Sequence, residues 1–127
     1  MISRGKFISF EGVEGVGKST QIARFKAFLE ARGNAVAFVR EPGGTELGED
    51  VRKILKFADY GDRMSAEAEA LLFSAARAQL VREKLLPALA GGACVLADRF
   101  TDSSVASQGA GRGLGEKKIA AMNEFAT

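Results

Sequence analysis

The chain has 127 residues, 46% of them hydrophobic, with a mean hydropathy near zero, which fits one soluble domain with a modest core. A net charge of +2 gives no case for a nucleic-acid or membrane-surface binder, and no apolar run approaches the roughly 20 residues that span a bilayer. Histidine is absent and Cys94 is the one cysteine, which excludes an internal disulfide, Ser-His-Asp or Cys-His triads and histidine-ligated zinc built from this chain.

The opening residues, Met1-Ile2-Ser3-Arg4-Gly5-Lys6, lead into a strand rather than a signal peptide, so the expected compartment is the cytoplasm. Phe7 to Glu11 reads as a short buried strand stopped by Gly12, Gly15 and Gly17. Helix signals run from about Lys18 to Arg32, with Ile22, Phe25, Phe28 and Leu29 at helical spacing, and Gly33-Asn34 closes that helix. Ala35 to Val39 is a second strand, ended by Glu41-Pro42-Gly43-Gly44. A helix over 46–57 and a polar connection over 58–64 follow. The longest helix is expected from Ser65, its N-cap, to Leu89, with Ala68, Leu71, Leu72, Ala75 and Ala76 as its apolar stripe and Pro87 kinking or ending it. Gly91-Gly92 precedes a third strand, Ala93 to Ala97, in which Cys94 reads as a buried small hydrophobe. The glycine-rich stretch 109–115 leads to a final amphipathic helix over 116–125. Alternating strands and helices predict an α/β fold in three αβα layers, a parallel three-stranded sheet with helices on both faces. Ligands bind such sheets at the carboxyl ends of the strands, where Glu11-Gly12, Arg40-Glu41-Pro42 and Asp98-Arg99 fall.

Gly12-Val13-Glu14-Gly15-Val16-Gly17-Lys18-Ser19 matches G-x-x-x-x-G-K-[ST] between a strand and a helix. Backbone N–H groups of such a P-loop curl around phosphates, and the helix N-terminus favours the anion. Residues Gly12 to Thr20 are therefore the expected triphosphate cradle, with Lys18 on the β/γ oxygens and Ser19 on Mg²⁺. The plainer alternative is a glycine-rich turn with an exposed lysine. A signalling GTPase would carry an Asn-Lys-x-Asp stretch, which this sequence lacks, so ATP is the expected donor and a small molecule the acceptor.

Three further segments accompany the loop: Arg40-Glu41-Pro42-Gly43-Gly44-Thr45, Leu72-Phe73-Ser74-Ala75-Ala76-Arg77, and Asp98-Arg99-Phe100 with Asp102-Ser103-Ser104 and Gln108-Gly109. Their order and spacing resemble the bacterial thymidylate kinases over essentially the whole chain. Phe73 and Arg77 are four apart and share a helix face. The resemblance implies that Phe73 stacks on thymine while Arg77 donates to its carbonyl; the plain reading is a core Phe73 and a solvated Arg77. Arg40 and Arg99 could each clamp the 5′-phosphate of dTMP, and the resemblance adds that Arg99 steadies the transferring phosphoryl group. It also implies acceptor contacts for Arg52 and Pro42, a 3′-hydroxyl acceptor role for Glu14, and a thymine edge formed by Ser104 and Gln108. The alternatives are a surface ion pair between Arg52 and Glu49 and a Glu14 that points to solvent; Ser103 reads as structural only. Asp98 is expected near the metal through water, or as a structural cap.

The implied reaction is ATP plus dTMP giving ADP plus dTDP, with Lys18, Arg99, Asp98 and Glu14 as its catalytic set and a homodimer as its assembly. Phosphoryl transfer needs alignment and charge neutralisation rather than a strong base, which a chain without histidine can supply. Two departures stand against the resemblance. Ser107 occupies a position where an aromatic ring would exclude a 2′-hydroxyl, and the family continues beyond 127 residues with a lid, a lid arginine and an adenine loop. Arg112 is a weak substitute for that arginine. Single-domain incompleteness at the C-terminus is therefore expected, and two alternatives stay open: a kinase for another nucleoside monophosphate, or a non-catalytic nucleotide-binding or dimerisation module.

Overall fold

The computed structural model describes residues 4–60 and 63–127. The first residues of Met1–Lys6 and the middle of the 58–64 connection lie outside them. Three strands, β1 (Phe7–Phe10), β2 (Val36–Arg40) and β3 (Cys94–Asp98), form a parallel sheet in the order β1-β3-β2. β3 is central because it has the most apolar run; Val95, Leu96 and Ala97 are all fully buried, as expected of a strand covered on both faces. Alternation sends Val95 and Ala97 to one face and Leu96 to the other. Helix α1 (Lys18–Ala31) packs on β3 and β2, burying Ile22, while Phe25 stands edge-on to Phe10. The opposite layer is α3 (Ala66–Leu80), a π-helical turn at Val81–Leu85, and α4 (Leu86–Ala90). There Leu80, Val81 and Leu85 join Val39, Val95, Ala97 and Phe100 in the main core. The three αβα layers and the parallel sheet are as the sequence predicts.

Helix α2 (Glu46–Lys56) starts at Thr45, whose hydroxyl accepts from the Gly48 N–H at 2.8 Å. Ser65 caps α3 as expected, accepting from the Ala68 N–H at 3.0 Å. Four expectations change. The helix over 65–89 keeps its expected extent but is not α-helical throughout: a π turn widens it, and the Leu86 N–H reaches back five residues to the Val81 carbonyl. Pro87 explains this, since its ring crowds the carbonyl four residues earlier and a wider turn relieves the clash. The buried face of α3 is Ala70, Ala76, Arg77 and Leu80, whereas Leu71 is 61% exposed; of the expected stripe Ala76 is buried, and the face is turned toward Arg77. The glycine-rich stretch is partly helical, as α5 (Thr101–Ser104) runs into a second π-helical segment, Val105–Gly111. Small residues there let the backbone approach α6 (Glu116–Ala126); a Cβ on Gly109 would meet the backbone of Glu116 at 3.3 Å. Cys94 is half-buried, because it opens β3 at the sheet's amino edge.

Register decides the site. Phe10 and Arg40 both pair with Asp98, so the three strands end in one row. The ladder extends past that row, with the Arg99 N–H bonded to the Phe10 carbonyl and the Glu41 N–H to the Asp98 carbonyl.

Candidate nucleotide site

The loop between β1 and α1 opens directly from that row. Gly17 caps α1 at φ 90° with no side-chain partner, a backbone region that glycine enters without steric cost. The helix N-terminus is thus left with free N–H groups facing the loop. Lys18, 11% exposed, sets its ammonium 2.5 Å from Oδ1 of Asp98. That contact lies outside hydrogen-bond geometry, so Oδ1 is buried without a hydrogen-bond partner. Ser19 and Asp98 line the same cavity. A hydroxyl and a carboxylate are the hard oxygen donors that magnesium takes, so these two residues could hold the ion. Among the described residues no cluster of three or more His, Cys, Asp or Glu forms a further metal site.

The cavity measures about 540 Å³ and gathers Val13, Glu14, Gly15, Gly17, Lys18, Ser19 and Thr20 from the loop and α1, Arg40 and Glu41 from β2, Arg52 and Lys56 from α2, and Asp98 and Arg99 from β3. Gly12 lines a second opening of similar volume with Glu11, Glu14, Arg99, Asp102 and Ser107. Val16 does not line either opening and is 61% exposed. Arg40 pairs with Glu49 at 3.0 Å. The Gly44 N–H and Arg40 together hold the Glu49 carboxyl below the usual carboxylate range. The ion pair weighed between Arg52 and Glu49 is therefore replaced: Arg52 donates to the Pro42 carbonyl at 2.9 Å. Arg99 adopts φ 68°, an uncommon conformation for a residue with a side chain and one that occurs at functional sites. Among the described residues it has no ion pair, and it lines both large openings and the smaller cavity below.

That smaller cavity, about 50 Å³, lies between Pro42, Phe73, Arg77, Ser104, Ser107 and Gln108. It is far below the few hundred Å³ of a typical small-molecule site. Arg77 is neither solvated nor free. At 1% exposure its Nε donates to both Glu41 oxygens at 2.9 Å, Nη1 to Asn123 Oδ1 at 2.5 Å, and Nη2 to the Phe100 carbonyl and Ser104 Oγ. Of its five N–H groups, one on Nη1 is uncommitted. Burial pushes the Glu41 carboxyl up to about 7, against the pull of Arg77. Gln108 donates to Glu69 at 3.3 Å, while its own Oε1 is buried without a partner. Arg112 also pairs with Glu69, at 2.9 Å, away from the phosphate loop.

Sequence reasoning missed Asn123 and Lys56, and placed Glu11 and Glu41 at the ligand edge without giving either a role. Glu11 accepts from the Phe100 N–H at 3.0 Å and from the Ser103 hydroxyl, tying β1 to the turn after β3 and giving Ser103 a structural role. Asn123 carried a signal: with Ile119 and Ala126 it occupies the buried register of α6, and a polar group there needs a partner. Lys56 follows Arg52 by one helical turn and so shares its face.

Comparison with known proteins adds an independent line. A family model described as thymidylate kinase matches residues 10–127. The chain is similar to a thymidylate kinase of Kosmotoga olearia, 54% identical over 121 residues that make up 95% of this chain and 57% of that protein. It is similar to one of Thermoanaerobacter sp. (strain X514), 51% identical over 124 residues, 98% of this chain and 60% of that protein. The crystal structure of a thymidylate kinase from Ehrlichia chaffeensis aligns with a TM-score of 0.88 at 35% identity, covering 98% of this chain and 69% of that one. The chain thus spans 57% and 60% of the length of the two curated relatives.

Proposed function

The chain belongs to the thymidylate kinase family, and on that premise we propose that it carries the phosphate cradle and acceptor site of an enzyme that transfers the γ-phosphoryl group of ATP to dTMP. The observation that carries this reading is the level row of strand ends, which sets Lys18, Asp98, Arg40 and Arg99 around one opening of about 540 Å³. Beside it, the orphaned Oε1 of Gln108 and the one uncommitted N–H of Arg77 offer the acceptor and donor that a pyrimidine's N–H and carbonyl require.

In this reading Lys18 exchanges Asp98 for the β- and γ-phosphate oxygens, and the loop N–H groups hold the remainder of the triphosphate. Ser19 and Asp98 would hold magnesium, which when bound neutralises charge on those oxygens. Arg99, reaching both openings, bridges the acceptor phosphate and the phosphoryl group in flight. Arg40 and Arg52 fix the acceptor phosphate, Glu14 accepts from the 3′-hydroxyl, and Phe73 covers the base. An oxygen of the dTMP phosphate bonds to Pγ as the bond from Pγ to the bridging oxygen breaks, and ADP leaves. That phosphate is largely ionised at neutral pH, so no side chain must take a proton. Leu71 at 61% and Phe125 at 89% exposure support a homodimer as part of the same proposal.

Calorimetric titration with dTMP, dUMP and the ribonucleotide TMP tests the assignment. Saturable binding that favours dTMP and weakens in Phe73→Ala supports it. A folded chain that binds none of the three overturns it. Because the chain covers little more than half of its relatives, a nucleotide-binding module without turnover is the second reading. A coupled assay for ADP separates the two.

A further inference from the structure

Helix α2 brings a cation to the phosphate opening that the proposed mechanism does not use. Lys56, its last residue, lines the same opening as Arg52. Its ammonium stands 4.0 Å from Oε1 of Glu14, with the Lys56 side chain 32% exposed and that of Glu14 84%. This is the outer limit of an ion pair and too long for a hydrogen bond. The charges around it come from four directions: Arg52 on its own helix, Glu14 from the loop after β1, Arg99 beyond β3 and Arg40 at the end of β2. Burial holds the Lys56 pKa below the ordinary lysine value, the three guanidiniums press the same way, and Glu14 alone opposes them. Three other cations of the opening are better satisfied, Arg99 being the exception. Lys18 has Asp98 at 2.5 Å, Arg40 has Glu49 at 3.0 Å, and Arg52 has the Pro42 carbonyl at 2.9 Å.

Two simpler roles do not account for this placement. A cation in the last turn of a helix complements the macrodipole, but Lys53 already serves there, pairing outward with Asp50. A pair with an exposed Glu14 at that distance adds little. Neither role requires a lysine to turn inward among three arginines. A dianion between them would attract all four cations at once and so offset those repulsions.

We propose that Lys56 is a phosphate ligand of the acceptor site: on binding it leaves Glu14 and, with Arg99 and Arg40, grips the 5′-phosphate of the acceptor. Glu14 is then released to accept from the sugar hydroxyl. The proposal rests on the reading that this opening takes a nucleoside monophosphate, and it adds to that reading a residue and an exchange of partners.

The test compares the 127-residue chain with Lys56→Met and Lys56→Arg, each shown to be folded by circular dichroism, in titrations with dTMP, thymidine and inorganic phosphate. Removing a charged hydrogen-bond partner should weaken dTMP by about tenfold, leave thymidine unchanged, and be largely rescued by Lys56→Arg. An equal loss for dTMP and thymidine would mean that Lys56 acts through Glu14 or the fold, and overturns the proposal. An unchanged dTMP affinity overturns it as well. Should the unsubstituted chain bind no dTMP, the functional reading falls, and inorganic phosphate decides this one separately. Phosphate binding weakened by Lys56→Met upholds a phosphate ligand; binding that is absent or unaffected refutes it.

Discussion

Arg77 and Arg99 stand at the same rim of the sheet and are built for opposite ends. Arg77 is sealed, with four partners from three segments and one spare N–H. Arg99 has no ion pair among the described residues and opens onto three cavities, held there by a left-handed backbone. A buried guanidinium must be satisfied by the protein to exist at all, so Arg77 orders the region around the small cavity before any ligand arrives. A partly exposed one can be kept in reserve, its charge carried by water until an anion replaces that water. The molecule therefore pairs a rigid side with an open, cationic side in which Lys18, Lys56 and Arg99 wait.

The largest expected difference separates these two arginines. Arg77→Met leaves Glu41 buried and unpaired, and should lower stability by roughly 3–5 kcal/mol in urea denaturation. Arg99→Met should change it by less than about 0.5 kcal/mol while abolishing measurable dTMP binding. Equal losses of stability would dissolve the contrast. Next comes pH. The folded pKa of Glu41 is raised from 4.5 to about 7, so the folded state retains a proton that the unfolded chain has released. This contribution is fully present below 4.5 and is lost as pH rises to about 7, on the order of 3 kcal/mol. Glu49, shifted down, acts below 4.5 and so leaves the window clear. Urea midpoints measured across it should fall with pH in the native sequence and stay level in Glu41→Gln. A slope kept by the variant would assign the effect to another group.

Asn123→Ala tests whether α6 belongs to the rigid side. Loss of the acceptor for Nη1 should cost roughly 1–2 kcal/mol, and dTMP should weaken while inorganic phosphate does not. Loss of both ligands in parallel would show that the two sides are coupled. The smallest effect is expected at Ser65, which caps the helix that carries Arg77. Ser65→Ala should cost roughly 1 kcal/mol and leave phosphate affinity untouched. A changed phosphate affinity would mean that α3 also supports the open side.

The open side was largely legible because its signals are local. Gly12 to Ser19 lie consecutively between a strand and a helix, and the strand ends carrying Arg40 and Asp98 could be read as one edge before their register was known. The rigid side was legible only in part. Phe73 and Arg77 announce a shared face through their spacing, yet spacing alone favours a solvated arginine as readily as a buried one. The misjudged stripe of α3 has the same origin: Leu71 is the more apolar residue, but the helix turns to bury Arg77 because Glu41 and Asn123 are there to meet it. The π turn before Pro87 was half visible, since proline foretells a break but not whether the chain bends, stops or widens.

Strand and helix alternation, the phosphate loop and the cap at Ser65 follow from short-range periodicity and backbone preference, which act within a few residues and can be read directly. The partners of Arg77 lie 36, 46, 23 and 27 residues away in the chain, and those of Glu11 lie 89 and 92 away. Whether a charge is buried, and on what, is decided by segments that meet only when the sheet has closed and α6 has docked. Local chemistry dictated which groups this chain carries to the edge of its sheet; packing alone decided which were locked into the core and which were left to meet a phosphate.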